Sequence, residues 1–126
     1  MKKIIKLGIS KVSKGASKEL LCRNIHESQG WKTVFKSQRV RFGKVDFAGG
    51  VADLVFVRGK ERKYVNVKNW AKFETFPRVQ EMIRAFKTTH GLEGELFELW
   101  IWKAGRWTGR KSNKVWEKPE WVTIQI

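Results

Sequence analysis

Asp53, Asn66 and Lys68 are the residues whose types and spacing could do chemistry together. Val51 to Val57 reads Val-Ala-Asp-Leu-Val-Phe-Val and is apolar apart from Asp53; Arg62 to Lys68 reads Arg-Lys-Tyr-Val-Asn-Val-Lys and alternates. The polar, glycine-containing turn Arg58-Gly59-Lys60-Glu61 lies between them, so the stretch predicts a β-hairpin. Pairing Val57 with Arg62 across a two-residue turn at Gly59-Lys60 sets Asp53 opposite Asn66. Facing side chains sit about 5 Å apart at Cβ. Lys68, two residues past Asn66, points to the same face. A carboxylate, an amide and an ammonium then converge at one end of an apolar hairpin. Charges in such a place are costly unless they serve each other, a metal or a substrate. A plain structural role is equally open, with Asp53 capping a strand start and Lys68 leaving the sheet for water.

The flanking elements must hold that hairpin in place. Residues 1–14 alternate weakly and are basic, as in an edge strand or an arm. Ser13 or Ser17 is placed to cap a helix that runs to about Gln29 and ends at Gly30. Leu20, Leu21 and Ile25 form its expected core stripe, and periodicity puts Glu19 in solvent. Trp31 to Lys36 reads as a strand. From Lys32 to Lys44 come Lys32, Lys36, Arg39, Arg41 and Lys44 with no acidic residue, a run suited to a phosphate backbone. Gly43, Gly49 and Gly50 mark loops around Asp46. Beyond the hairpin, Thr75 and Pro77 announce a second helix. Val79, Met82, Ile83 and Phe86 make its buried face, with Gln80, Arg84 and Lys87 on another. His90-Gly91 ends it, the imidazole near the negative end of the helix dipole. Leu96 to Lys103 is a strand, Lys103 to Lys114 a basic loop, and Trp121 to Ile126 a final strand. Trp100, Trp102, Trp107 and Trp116 read first as core or sheet-face residues; the Arg-rich setting of Trp107 best suits base stacking.

Helices flanking a mixed sheet make this an α/β sandwich in one domain of 126 residues. The core spans about 14–103, with a basic, Trp-rich tail at 104–126. Twenty-seven Lys and Arg against twelve Asp and Glu give a formal charge of +15. Such a field attracts polyanions, and an excess this one-sided points to phosphate rather than to balanced ion-pair networks. No run approaches the roughly 18 apolar residues of a membrane span, and the opening apolar stretch is too short for a signal peptide. Cys22 is the only cysteine, so no internal disulfide is possible, and a cytoplasmic, reducing setting fits. His26 and His90 alone make no zinc set with it.

These residues resemble the PD-(D/E)XK nuclease superfamily, with its restriction-endonuclease-like αβββαβ core, an Asp on the second strand and a hydrophobic-Lys pair on the third. Lys14-Gly15-Ala16, then Glu19 and Leu20-Leu21, resemble the first helix of archaeal-type Holliday junction resolvases, where a helix glutamate joins the active site. The resemblance covers about residues 14 to 103. It implies that Asp53 is the motif aspartate, here preceded by Ala52 rather than proline. It further implies that Lys68 is the motif lysine, Glu19 the helix glutamate and Gln80 a polar residue behind the site. Asn66 departs from it, standing where the family has Asp or Glu.

The family's carboxylates hold Mg²⁺, for which Mn²⁺ substitutes, and its lysine lies near the attacking water. Asparagine offers a neutral oxygen, so the site loses a negative charge and metal affinity falls. Three arrangements are open. Asn66 ligates through its amide oxygen beside Glu19 and Asp53; or Asp46 replaces the missing carboxylate; or the site is disabled. The resemblance implies a Mg²⁺-dependent endonuclease of DNA recombination and repair, cutting branched duplex such as four-way junctions. Asp53, Glu19, Asn66 and the Val67 carbonyl would ligate the metal. Lys14, Lys36, Arg39, Arg41, Lys44, Arg110 and Lys111 would contact DNA. Paired cuts across a symmetric junction imply a homodimer. A DNA-binding module that kept the fold and lost the chemistry, a nuclease of other specificity, and a basic assembly protein without a metal site are the competing expectations.

Overall fold

The computed structural model describes residues 14–41, 43–69 and 76–126; of residues 14–16, 39 and 40 only the backbone is described. Residues 1–13 of the arm expected at 1–14, the Ser13 cap, Trp70 and the Thr75 start signal lie outside these residues, as do the side chains of Lys14 and Arg39; the backbone of Lys14 belongs to α1. Helix α1 spans Lys14–Ser28 and α2 spans Pro77–His90. The strands are β1 Lys32–Lys36, β2 Gln38–Val40, β3 Gly43–Val45, β4 Leu54–Arg58, β5 Glu61–Asn69, β6 Glu95–Lys103, β7 Arg106–Thr108, β8 Val115–Glu117 and β9 Glu120–Gln125. None of the described helices is long and apolar enough to cross a membrane.

The main sheet has five strands in the order β1-β4-β5-β6-β9. β5 and β6 run parallel and every other pair antiparallel. α2 is the crossover that a parallel pair requires. The expected hairpin register is observed: Val57 pairs with Arg62 and Arg58 with Glu61. Gly59 takes φ +59°, the glycine-first conformation of a two-residue hairpin.

Strand alternation sends side chains to both faces of the sheet. Leu54, Phe56, Val65 and Val67 pack with Cys22 and Trp31 against α1. Val55, Tyr64 and Phe97 pack with Val51, Ala52 and Ile83 against α2. β4 is therefore covered on both sides, which explains its unbroken apolar run.

Three sequence expectations are corrected. α1 does not bury Leu20, Leu21 and Ile25 as its stripe: Leu20 and Leu21 are 42% and 40% exposed, while Glu19, Cys22 and His26 are buried. The polar residues take the inner face because β3 and β5 supply their partners, which helical periodicity cannot register. Ser17 lies within α1 rather than capping it. The basic loop expected at Lys103 to Lys114 instead contains β7 and the turn of the β7-β8 hairpin, and β2 and β3 pair as a second small hairpin. In addition, β9 at the end of the basic tail is the antiparallel neighbour of β6, so the main sheet includes it.

Candidate functional site

Asp53 stands where the chain bends into β4, and nearly every polar group it has is used. Its N–H donates to the Val65 carbonyl at 2.8 Å, and its carbonyl accepts the Ser37 N–H at 2.7 Å. Its Oδ2 accepts the Val67 N–H at 2.7 Å. A bulge in β1 accounts for Ser37: Thr33 pairs with Phe56 but Phe35 with Val55. The extra residue places Lys36 opposite Leu54, and Ser37 comes level with Asp53.

The remaining oxygen, Asp53 Oδ1, receives the Lys44 ammonium at 2.5 Å. Lys44 Nζ also donates to Glu19 Oε2 at 2.8 Å and lies 3.4 Å from Asp46 Oδ1. Ser37 Oγ donates to Asp46 Oδ1 at 2.6 Å and reaches Asp53 Oδ1 at 3.3 Å. Three carboxylates from α1, the segment after β3 and the start of β4 thus share one cation at the open end of the β4-β5 hairpin. Burial works against the Lys44 charge, but the hydrogen bonds and charges of Asp53 and Glu19 outweigh it and hold its pKa above the ordinary lysine value. Burial likewise works against the Asp46 anion; the Ser37 hydrogen bond and the Lys44 ammonium prevail and hold its pKa below the usual carboxylate range.

Asn66 is anchored through its amide nitrogen. Its Nδ2 donates to the Gly50 carbonyl at 2.8 Å and to the Val51 carbonyl at 3.3 Å. Those carbonyls are presented by a tight loop closed by the Phe47–Ala52 bridge, with Gly49 at φ +69° and Gly50 at φ +106°. A carboxylate at position 66 would have no hydrogens for them. Asn66 Oδ1 is buried and has no hydrogen-bond partner among the described residues.

Of the expected site residues, the structure brings Glu19, Asp53 and Asp46 together. Lys44 joins them, although its setting in a basic run suggested a phosphate contact. In this structure its ammonium is held by Glu19, Asp46 and Asp53. Lys68 is half-buried and pairs through its backbone with Ile101 of β6; its ammonium is not among the groups that meet the carboxylates. The Val67 group that meets Asp53 is its N–H, not its carbonyl. Gln80 lies half-buried in the first turn of α2. Lys36 and Arg41 are exposed near β2, and Arg110 and Lys111 are exposed in the turn between β7 and β8.

Beside the carboxylates a cavity of about 240 Å³ is lined by Glu19, Leu20, Arg23, Lys36, Ser37 and Leu54. It adjoins a second, of about 600 Å³, that shares Arg23 and Lys36 and runs along β1. Arg23 Nε is buried with no partner among the described residues. Sequence reading missed Arg23 and Ser37. Arg23 was within reach of it, lying four residues past Glu19 and so on the same helix face; Ser37 depends on a bulge that no residue type announces.

A scan of the chain against protein-family models finds no match, and a search among curated proteins finds none either. Among the described residues no group of three or more His, Cys, Asp or Glu side chains stands in metal-holding geometry.

Proposed function

We propose that this chain is a metal-dependent DNA endonuclease of the junction-cutting kind, with its site at Glu19, Asp46 and Asp53. The observation that carries the reading is the meeting of these three carboxylates around one cation, Lys44 Nζ, beside a groove lined by Arg23 and Lys36. Carboxylate oxygens are the donors a hard divalent ion takes. Apart from the inserted β2-β3 hairpin, the main-sheet order α1, β1, β4, β5, α2, β6 is consistent with the αβββαβ core that the PD-(D/E)XK resemblance implies.

In this reading Mg²⁺ would replace the Lys44 ammonium, and the carboxylates, which do not stand in metal-holding geometry around it, would have to close on the ion. Glu19, Asp53 and Asp46 would hold the metal, Asp46 supplying the charge that Asn66 does not. A bound Mg²⁺ supplies a water of lowered pKa and neutralises charge developing on the phosphate. The protein's part is positional. The Val67 N–H and Ser37 fix the Asp53 carboxylate before any ligand arrives, so no reorganisation is needed at the moment of reaction. Arg23 and Lys36 place the phosphate chain in the groove. The Lys68 ammonium is not among the groups that meet the carboxylates. Paired cuts in a symmetric junction would need two copies about a two-fold axis.

One observation favours a second reading, a DNA-binding protein without cleavage: Lys44 already bridges the three carboxylates, so the fold holds them together without a metal. Incubating a labelled four-way junction and a matching linear duplex with Mg²⁺ or Mn²⁺ separates the two. Paired symmetric cuts in the junction alone, lost in Asp53→Ala, are expected for the endonuclease. Tight junction binding without cuts, in the native chain and in Lys44→Met alike, would leave the second reading. Equal affinity for both DNAs with no cleavage by any variant would remove the junction assignment altogether.

A further inference from the structure

The β7-β8 hairpin carries two tryptophans that the hydrophobic core does not use. Trp107 and Trp116 face each other across the strand pair. Their ring centroids lie 5.4 Å apart, tilted by 56°. They are 63% and 47% exposed, and neither belongs to either core cluster. Leaving two indoles in water forgoes the burial that usually places tryptophan. Their geometry is nevertheless fixed. On the other face of the hairpin Arg106 Nε donates to Glu117 Oε1 at 2.7 Å. A Cβ added at Gly105 would lie 2.4 Å from the Trp116 ring, so the backbone there runs close beneath the indole. The turn is closed by the Asn113 N–H donating to the Arg110 carbonyl at 2.8 Å, with Gly109 at φ +93°.

The charge around the pair is one-sided. Arg110, Lys111, Lys114 and Lys118 are all exposed, and the sole acid of the hairpin strands, Glu117, is occupied by Arg106. A rigid, exposed aromatic surface ringed by cations matches one ligand chemistry closely: flat bases with open π-faces, strung on a phosphate chain. Stacked duplex bases present no such faces.

We infer that Trp107 and Trp116 form a stacking platform for unpaired nucleobases, with Arg110, Lys111 and Lys114 holding the adjoining phosphates. This goes beyond the proposed cleavage and does not need it. A nuclease or a non-cutting binder would use the platform alike, on melted or single-stranded stretches.

The test is anisotropy in EDTA, so that no cleavage enters. Fluorescein-labelled oligodeoxyuridylate and oligouridylate of about 15 nucleotides are compared with a duplex of equal length, matching the span of a single-strand site. The native chain is expected to prefer the unpaired strands. Trp107→Ala weakens them by roughly 10-fold, with duplex binding changed by no more than about twofold, because stacking and phosphate attraction are separate contributions. Trp107→Phe restores most of the loss. The two sugars distinguish the source: loss on both shows base stacking as such, and loss on one alone assigns the platform to that nucleic acid. Should the alanine variant disturb the hairpin, photocross-linking of the native chain to 5-iododeoxyuridine strands reads the contact directly, the expected adduct falling on Trp107 or Trp116. Unchanged single-strand affinity in a folded Trp107→Ala, or adducts elsewhere only, would overturn the inference. Trp107-dependent binding to anionic lipid vesicles without preference for unpaired strands would also overturn it.

Discussion

At the scale of single residues, the asparagine that departs from the nuclease pattern has a structural occupation. Asn66 gives both amide hydrogens to the Gly50 and Val51 carbonyls from a buried position. Asn66→Asp removes those donors and sets a buried anion against two carbonyl oxygens. Unfolding in urea at neutral pH should show a loss of roughly 2–4 kcal/mol. A variant as stable as the native chain would mean that the amide bonds contribute nothing. The second residue is His26, buried between Phe56, at a ring-centroid distance of 4.2 Å, and Trp100, at 4.6 Å. Its Nδ1 donates to the Cys22 carbonyl at 2.8 Å, which leaves Nε2 as the acceptor facing Lys63 Nζ at 3.5 Å. Burial lowers its pKa; the Cys22 hydrogen bond opposes that, and the Lys63 charge reinforces it. The unfolded chain therefore takes up a proton below about pH 6.5 while the folded ring stays neutral. Stability should be level just above that pH and fall below it, with a slope of up to about 1.4 kcal/mol per pH unit. Melting temperatures between pH 7.5 and pH 5 measure this (a span chosen about the ordinary imidazole pKa). His26→Gln should flatten the profile in that window, and a native chain already flat there would refute the assignment.

At the scale of elements, the hairpin was legible because its signals are local. Glycine at the turn, an apolar first strand and an alternating second strand fix the register without reference to the rest of the chain. α1 was not legible in the same way. Its hydrophobic residues suggested Leu20 and Leu21 as the buried face, but Glu19 is drawn inward by Lys44, and His26 packs against Phe56 and Trp100. α2 falls in between: the spacing identified Val79, Met82, Ile83 and Phe86, yet only Ile83 is fully buried. It is the point at which the helix is anchored over Tyr64 and Phe97. Ile83→Ala should therefore lower stability by about 2–5 kcal/mol. Met82→Ala, at an exposed position of the same predicted stripe, should stay within about 1 kcal/mol. Equal losses in urea unfolding would show that α2 is held by its whole face and not by one side chain.

At the scale of the whole molecule, the charge announced a polyanion partner but not where it would lie. Charge counts in a sequence do not separate a lysine that meets phosphate from one that meets carboxylates, and Lys44 proved to be the second kind. Among the described residues, the cations lining the groove are Arg23 and Lys36. Binding that neutralises phosphates releases counterions, so log K falls with log salt by about 0.9 per phosphate contacted. Arg23→Ala and Lys36→Ala should each reduce the magnitude of that slope by about 1 for duplex DNA. Lys60 provides the control. It sits in the β4-β5 turn, and β4, the strand between that turn and Asp53, has five residues. At about 3.3 Å per residue that is roughly 16 Å, twice the screening length at physiological salt. Lys60→Ala should leave the slope unchanged. A slope altered equally by all three substitutions would mean that the chain binds DNA through its overall field, with no favoured groove.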